Sequence, residues 1–197
     1  MPTVVAAGGG CAGGRDAPES GMITRHHQKG DTASSAVYSD CERYRYLLTR
    51  IWQPEGARLL YVLLNPSTAT EAQNDPTVER CERRARVLGF GGFRVTNIFA
   101  FRATDPKEMR AAADPVGQGN DAAIGASLDW VAGTGGRVIC AWGAHGAHLG
   151  RGAEVEAVLR ASGRELFHLG LTKAGAPRHP LYIGYDRQPQ PWQRNQG

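Results

Sequence analysis

The chain is poor in the residues and spacings that would announce a metalloprotein. Its four cysteines, Cys11, Cys41, Cys81 and Cys140, include no Cys-x-x-Cys pair, so spacing gives no support to zinc or iron–sulfur ligation. No metal and no cofactor is expected. No segment approaches the ~20 consecutive apolar residues that a membrane span needs. The start lacks the charged segment and apolar core of a secretory signal, so the expected location is the cytoplasm. A Walker lysine loop, a dinucleotide glycine fingerprint and a nucleophile elbow are all missing, and with them the usual routes to nucleoside-triphosphate, dinucleotide and serine-hydrolase chemistry. Asn65-Pro66-Ser67 is closed to N-glycosylation by its proline.

What remains is an ordinary globular composition. The 197 residues are 41% apolar and 21% charged, enough for one domain with a real core. A net charge of +4 and a pI near 9.0 permit a nucleic-acid partner but are shared by many enzymes. Nothing points to a membrane partner, and a monomer is expected.

The organising stretch is Arg58-Leu59-Leu60-Tyr61-Val62-Leu63-Leu64-Asn65-Pro66-Ser67-Thr68-Ala69. A short unbroken apolar run suits a strand buried on both faces. Asn65-Pro66 ends it, because proline offers no ladder donor. Residues 1–35, rich in Gly, Ala and Ser, read as a disordered tail or a misassigned start, and His26-His27 within it as solvated rather than metal-binding. One domain is expected over 36–187, with a polar tail over 188–197. Ser35 to Trp52 reads as an entry hairpin whose Tyr44, Tyr46, Leu48 and Ile51 roughly alternate with Arg43, Arg45, Thr49 and Arg50.

Asp75-Pro76 opens a helix that Gly89 ends. Val78, Cys81, Ala85 and Leu88 form one face, while Arg80, Arg83, Arg84 and Arg86 cover much of the rest. Further strands are expected at 93–99, 137–143 and 165–169. Helices are expected at 106–113, capped by Asp105, at 120–132, and at 154–162 with Val155, Val158 and Leu159 inward. Alternating strands and helices predict an α/β, three-layer sandwich around a central, mostly parallel four-stranded sheet with right-handed crossovers.

In such a sheet, polar groups at the carboxyl ends of strands converge on one crevice. Here they are Asn65 and Ser67, Asn97 and Arg102, Trp142 and Gly143, and finally Lys173, Arg178 and His179. Asn, Ser, Asp and Gly are also common turn formers, so some of these serve only to close turns.

Three separated pieces resemble the uracil-DNA glycosylase superfamily: the strand ending Leu64-Asn65-Pro66-Ser67, the strand Val95-Thr96-Asn97-Ile98, and His179-Pro180. The turn Ala141-Trp142-Gly143 fits the segment before the last of these. More closely, residues 38–185 resemble a bacterial and phage family, domain of unknown function 1643. The match lies in Leu64-Asn65-Pro66-Ser67-Thr68-Ala69, Asn74-Asp75-Pro76-Thr77, Asn97-Ile98-Phe99-Ala100, Arg102-Ala103-Thr104-Asp105-Pro106, Asp114-Pro115-Val116-Gly117, Ala141-Trp142-Gly143 and Pro177-Arg178-His179-Pro180-Leu181-Tyr182. The chain departs from the glycosylase pattern in Leu181-Tyr182 after the His-Pro and in Ser67 where glycine is frequent.

The glycosylase resemblance implies a hydrolase of the N-glycosidic bond of a base, plain or modified, in nucleic acid or a nucleotide. Asn65 would hold the attacking water, with Asp75 either a base or a plain N-cap. His179 would stabilise the departing base or else only bond local backbone. Asn97 would read the base edge, or satisfy its own strand end. Phe99, Trp142 and Tyr182 are candidate base contacts, with core packing the competing role for Phe99 and Trp142. Arg80, Arg83, Arg84, Arg102, Lys173 and Arg178 are candidates for phosphates, the helix arginines equally a solvated face. The alternatives are a non-catalytic nucleotide- or nucleic-acid-binding module of the same fold, and a hydrolase of unrelated substrate on a shared frame.

Overall fold

The computed structural model describes residues 21–193. Among them the order is β1 (Met22–Lys29), β2 (Thr32–Ser39), β3 (Arg45–Ile51), β4 (Arg58–Leu63), α1 (Pro76–Val87), β5 (Gly92–Asn97), α2 (Pro106–Ala111), α3 (Asn120–Ala132), β6 (Arg137–Cys140), α4 (Arg151–Ala161), β7 (Leu166–His168) and β8 (Gln190–Pro191). All eight strands share one sheet in the order β1-β2-β3-β5-β4-β6-β7-β8.

β4 lies inside the sheet, parallel to β5 on one side and to β6 on the other. Its alternate residues serve two cores. Leu59, Tyr61 and Leu63 pack with Val78, Cys81 and Ala85 of α1. Leu60 and Val62 pack with Ile124, Leu128 and Val131 of α3 and with Val155 and Leu159 of α4. The helices therefore cover both faces. The Tyr61 hydroxyl donates to the Cys81 carbonyl at 3.2 Å, tying the strand to α1 without leaving a buried polar atom unpaired.

The expected four-stranded, mostly parallel sheet needs correction. β4, β5, β6 and β7 are mutually parallel neighbours. Four of the seven pairings among the described residues are nevertheless antiparallel: β1 with β2, β2 with β3, β3 with β5, and β7 with β8. The fold is α/β on a mixed eight-stranded sheet.

Both chain ends were read too short. Residues 22–29 and 32–35, placed in the expected tail, belong to strands, and Thr32 and Ser34 are buried. Residues 1–20 of that tail lie outside the described residues. β2 is built of small residues, Thr-Ala-Ser-Ser-Ala, which tolerate a sheet but carry no apolar alternation. β1, with His26 and His27, is exposed along almost its whole length. At the other end, Gln190 and Pro191 pair with β7, and Trp192 enters the α3/α4-side core. Trp192 meets Trp142 edge-on at 5.6 Å and lies under the Arg160 guanidinium at 5.1 Å. The polar tail is thus partly core, and its residues 194–197 lie outside the described range.

Two smaller points also change. Val158 of α4 is 52% exposed, whereas Val155 and Leu159 are buried. Arg84 of α1 is buried rather than solvated. Its guanidinium donates to the carbonyls of Arg187, Gly184 and Ile183, at 2.8, 2.9 and 3.4 Å. Among the described residues no helix is long and apolar enough to cross a membrane.

Replacing Trp192 by alanine removes a buried indole and its two ring contacts. The expected loss is about 3 kcal/mol of unfolding free energy, measured by urea denaturation. A loss within about 0.5 kcal/mol, the range of surface changes, would show that the C-terminal strand does not contribute to the core.

Candidate functional site

The carboxyl ends of β4, β5 and β6 open on a cavity of about 670 Å³, within the size range of small-molecule sites. Its wall includes Asn65, Ser67, Asp75, Asn97, Trp142, Gly143, Arg178, His179 and Tyr182, all singled out in the sequence.

Asn65 is held in one orientation. Its Nδ2 donates to the carbonyls of Ala103 at 2.8 Å and Pro66 at 3.0 Å, which leaves Oδ1 as its unengaged acceptor. Ser67 reaches Thr104 through their hydroxyls at 3.4 Å, so the loops after β4 and β5 are joined beside the cavity. Asp75 is the N-cap of α1. One carboxylate oxygen accepts from the Val78 amide at 2.8 Å, and the other from the Ala69 amide at 3.3 Å. Both oxygens are therefore committed to backbone.

Asn97, the last residue of β5, is 1% exposed, and neither Nδ2 nor Oδ1 has a hydrogen-bond partner in the protein. An unpaired buried amide costs roughly 1–3 kcal/mol, so this donor–acceptor pair is left unpaired beside the cavity at a cost to stability. Its own backbone is well anchored. Asn120 Nδ2 donates to the carbonyls of Asn97 and Ile98, and Arg151 Nε also donates to that of Ile98.

His179 stands across from Gly143. The glycine has φ of +70°, a left-handed conformation that L side chains rarely adopt, and its amide donates to the Pro177 carbonyl at 2.7 Å. His179 Nδ1 accepts from the Leu181 amide at 3.5 Å. That long contact suits the neutral tautomer that carries its proton on Nε2. Burial pushes the imidazole pKa down to about 4, with Asp75 opposing the shift and the neighbouring His145 adding to it. Trp142 forms a rigid wall: a Cβ on Gly146 would come within 2.1 Å of its indole, and one on Gly152 within 3.0 Å. Arg178 and Tyr182 sit at the rim, Tyr182 being 85% exposed.

Three expected contacts are elsewhere. Phe99 is fully buried in the α3/α4-side core, 5.7 Å from the His148 ring. Arg102 donates to the Glu42 carbonyl at 3.1 Å and lies over the Tyr38 ring, outside the cavity wall. Lys173 is exposed on the turn between β7 and the His179 segment and does not reach the wall.

Other wall residues were not foreseen, among them Arg45, Thr68, Thr77, Thr104, His145 and Leu181. Arg45 is the informative one. Val37 faces Leu47 across the β2–β3 ladder but Tyr38 faces Arg45, so Tyr46 is an inserted bulge residue. Tyr46 and Leu47 both pack on the same side, and Arg45 is turned inward. The rough alternation of the hairpin sets Arg45 apart from Tyr44 and Tyr46 without marking it as a cavity residue. Among the described residues no group of His, Cys, Asp and Glu is arranged to hold a metal ion.

The low His179 pKa has a definite consequence for stability. Protonation favours the unfolded chain, whose histidine titrates near its ordinary value of 6.5. Stability is therefore full above that value, and declines as pH falls from about 6.5 towards 4. Denaturation as a function of pH should show this slope, and His179→Asn should flatten it. NMR titration of the His179 ring should find it neutral at pH 5.5, and a midpoint at 6.5 or above would contradict the site's electrostatics.

No curated protein and no solved structure matches the chain, and the glycosylase resemblance gains no support from these comparisons. The family model described as "Protein of unknown function (DUF1643)" matches residues 45–181, from the inward arginine of β3 to the loop after His179. That span covers well over half of the chain and takes in most of the cavity wall, and the protein belongs to this family.

Proposed function

We propose that the cavity takes a nucleobase, part of a nucleotide or of nucleic acid, and that the protein hydrolyses the N-glycosidic bond that carries it. The observation behind this reading is Asn97. A buried primary amide with both donor and acceptor unspent is complementary to a planar ring edge that offers an acceptor beside a donor.

The neighbouring groups suit the chemistry. A water hydrogen-bonded to Asn65 Oδ1 attacks the sugar carbon. The bond from that carbon to the base nitrogen breaks, its electron pair leaves with the base, and the proton lost by the attacking water passes through solvent to the departed base. His179, neutral and protonated at Nε2, donates to the base oxygen where that charge collects. A donor preorganised in this way is typically worth ~3 kcal/mol in the transition state. Trp142 and Val78 supply apolar wall for the ring.

One observation favours a second reading, a binding module without catalysis. Asp75, the cavity's carboxylate, spends both oxygens on the Val78 and Ala69 amides, so water activation falls to groups weaker than a free carboxylate.

A panel of oligonucleotides and nucleotides carrying uracil, mismatched thymine and modified bases separates the two. Assays for free base and for abasic sites should detect cleavage of at least one member. Asn65→Ala should slow that cleavage roughly 100-fold with little change in binding. Asn97→Ala should instead erode discrimination between bases. Binding across the panel without base release would establish the binding module, and no binding at all would remove both readings.

A further inference from the structure

We propose that the cavity wall around Arg45 is an anion subsite, taking a phosphate or a carboxylate carried by the ligand whose base meets Asn97. This rests on the base-binding part of the preceding reading and is independent of hydrolysis.

Arg45 is 2% exposed, yet it lines the cavity. Its Nη1 donates to the Ala69 carbonyl, and its Nε has no partner. Among the described ion pairs none involves it. Asp75, the acidic group that acts on it most strongly, already serves two backbone amides. A buried guanidinium with an open donor and no ion-pair partner is costly. Completing it with an oxyanion offsets that cost, and the planar fork of arginine suits the geometry of phosphate and carboxylate alike.

The surroundings agree in sign. The charged wall residues are Arg45 and Arg178 against the single carboxylate of Asp75. The first turn of α1, Pro76 to Val78, also faces the cavity, and the helix dipole favours negative charge there. Thr68 and Thr77 add hydroxyl donors to the same wall. The β-bulge that turns Arg45 inward sets it one residue from Tyr46, whose carbonyl accepts from Thr96 beside Asn97. Base-edge recognition and anion recognition thus arise from adjacent strands.

The test is calorimetric titration with two matched pairs of probes: uridine against uridine 5′-monophosphate, and uracil against its 6-carboxylate. The charged member of at least one pair should bind ten times tighter or more. An advantage confined to the first pair assigns phosphate, and one confined to the second assigns a carboxylate on the base. Arg45→Met should abolish the advantage while leaving the neutral member's affinity within about twofold. Equal binding within both pairs, binding of none of the four, or an advantage that survives Arg45→Met overturns the subsite. Should Arg45→Met fail to fold, the wild-type protein decides: titrating inorganic phosphate should shift the Arg45 Nε–H resonance saturably, and an unmoved resonance overturns it. Equal binding within the pairs would leave base recognition standing, and failure of base release would leave the subsite standing, so the two readings fall separately.

Discussion

A strand packed on both faces accepts a polar group only where a partner is supplied, as the Cys81 carbonyl is for the Tyr61 hydroxyl. β4 obeys this rule from Leu59 to Leu64, with one alternate set facing α1 and the other facing α3 and α4. Its first amide or charged side chain after Arg58 is Asn65, which is where the ladder stops and proline follows. β5 and β6 run parallel on either side and are subject to the same limit, so their exits fall at the same edge. The cavity results from three strands running out of core together. The helices that seal the faces also force every irregular segment to this edge or to the opposite one.

Irregular backbone needs partners for its carbonyls, and here arginine supplies many of them. Arg84 gathers the carbonyls of residues 183, 184 and 187, Arg50 reaches Thr70, Arg45 reaches Ala69, and Arg151 reaches Ile98. A guanidinium has five N–H groups in a fixed plane, so one side chain can hold a loop that several hydroxyls would otherwise be needed to hold. The mild positive charge of the chain is thereby partly structural. Arg84 and Arg151 are occupied inside the fold and offer little to an external phosphate, whereas Arg178 stands at the rim.

The parallel centre was legible because its signal is dense. Apolar runs, proline and glycine stops, and the caps at Asp75 and Asp105 agree with one another, and most of the polar residues at strand exits share one cavity. The flanks were not legible, for physical reasons. The first half of β2 is held by backbone pairing and small side chains, which leave no hydrophobic period ahead of the buried Tyr38. β8 has two residues in the ladder and depends on one tryptophan. Arg45 escaped because a bulge shifts side-chain parity by one, and that shift arises from pairing with β2 rather than from local composition. Phe99 and Arg102 were misplaced for a related reason: lying just beyond β5, they follow its loop back into core and towards Glu42 instead of continuing into the crevice.

The position of Trp192 has a consequence for folding. Trp142 forms one wall of the cavity, and Trp192 packs against its edge from the last described strand. The wall also draws on residues from Arg45 to Ile183. A pocket built from segments this far apart in sequence closes only once those long-range contacts are in place, so a ligand can stabilise the folded chain but cannot template its early contacts.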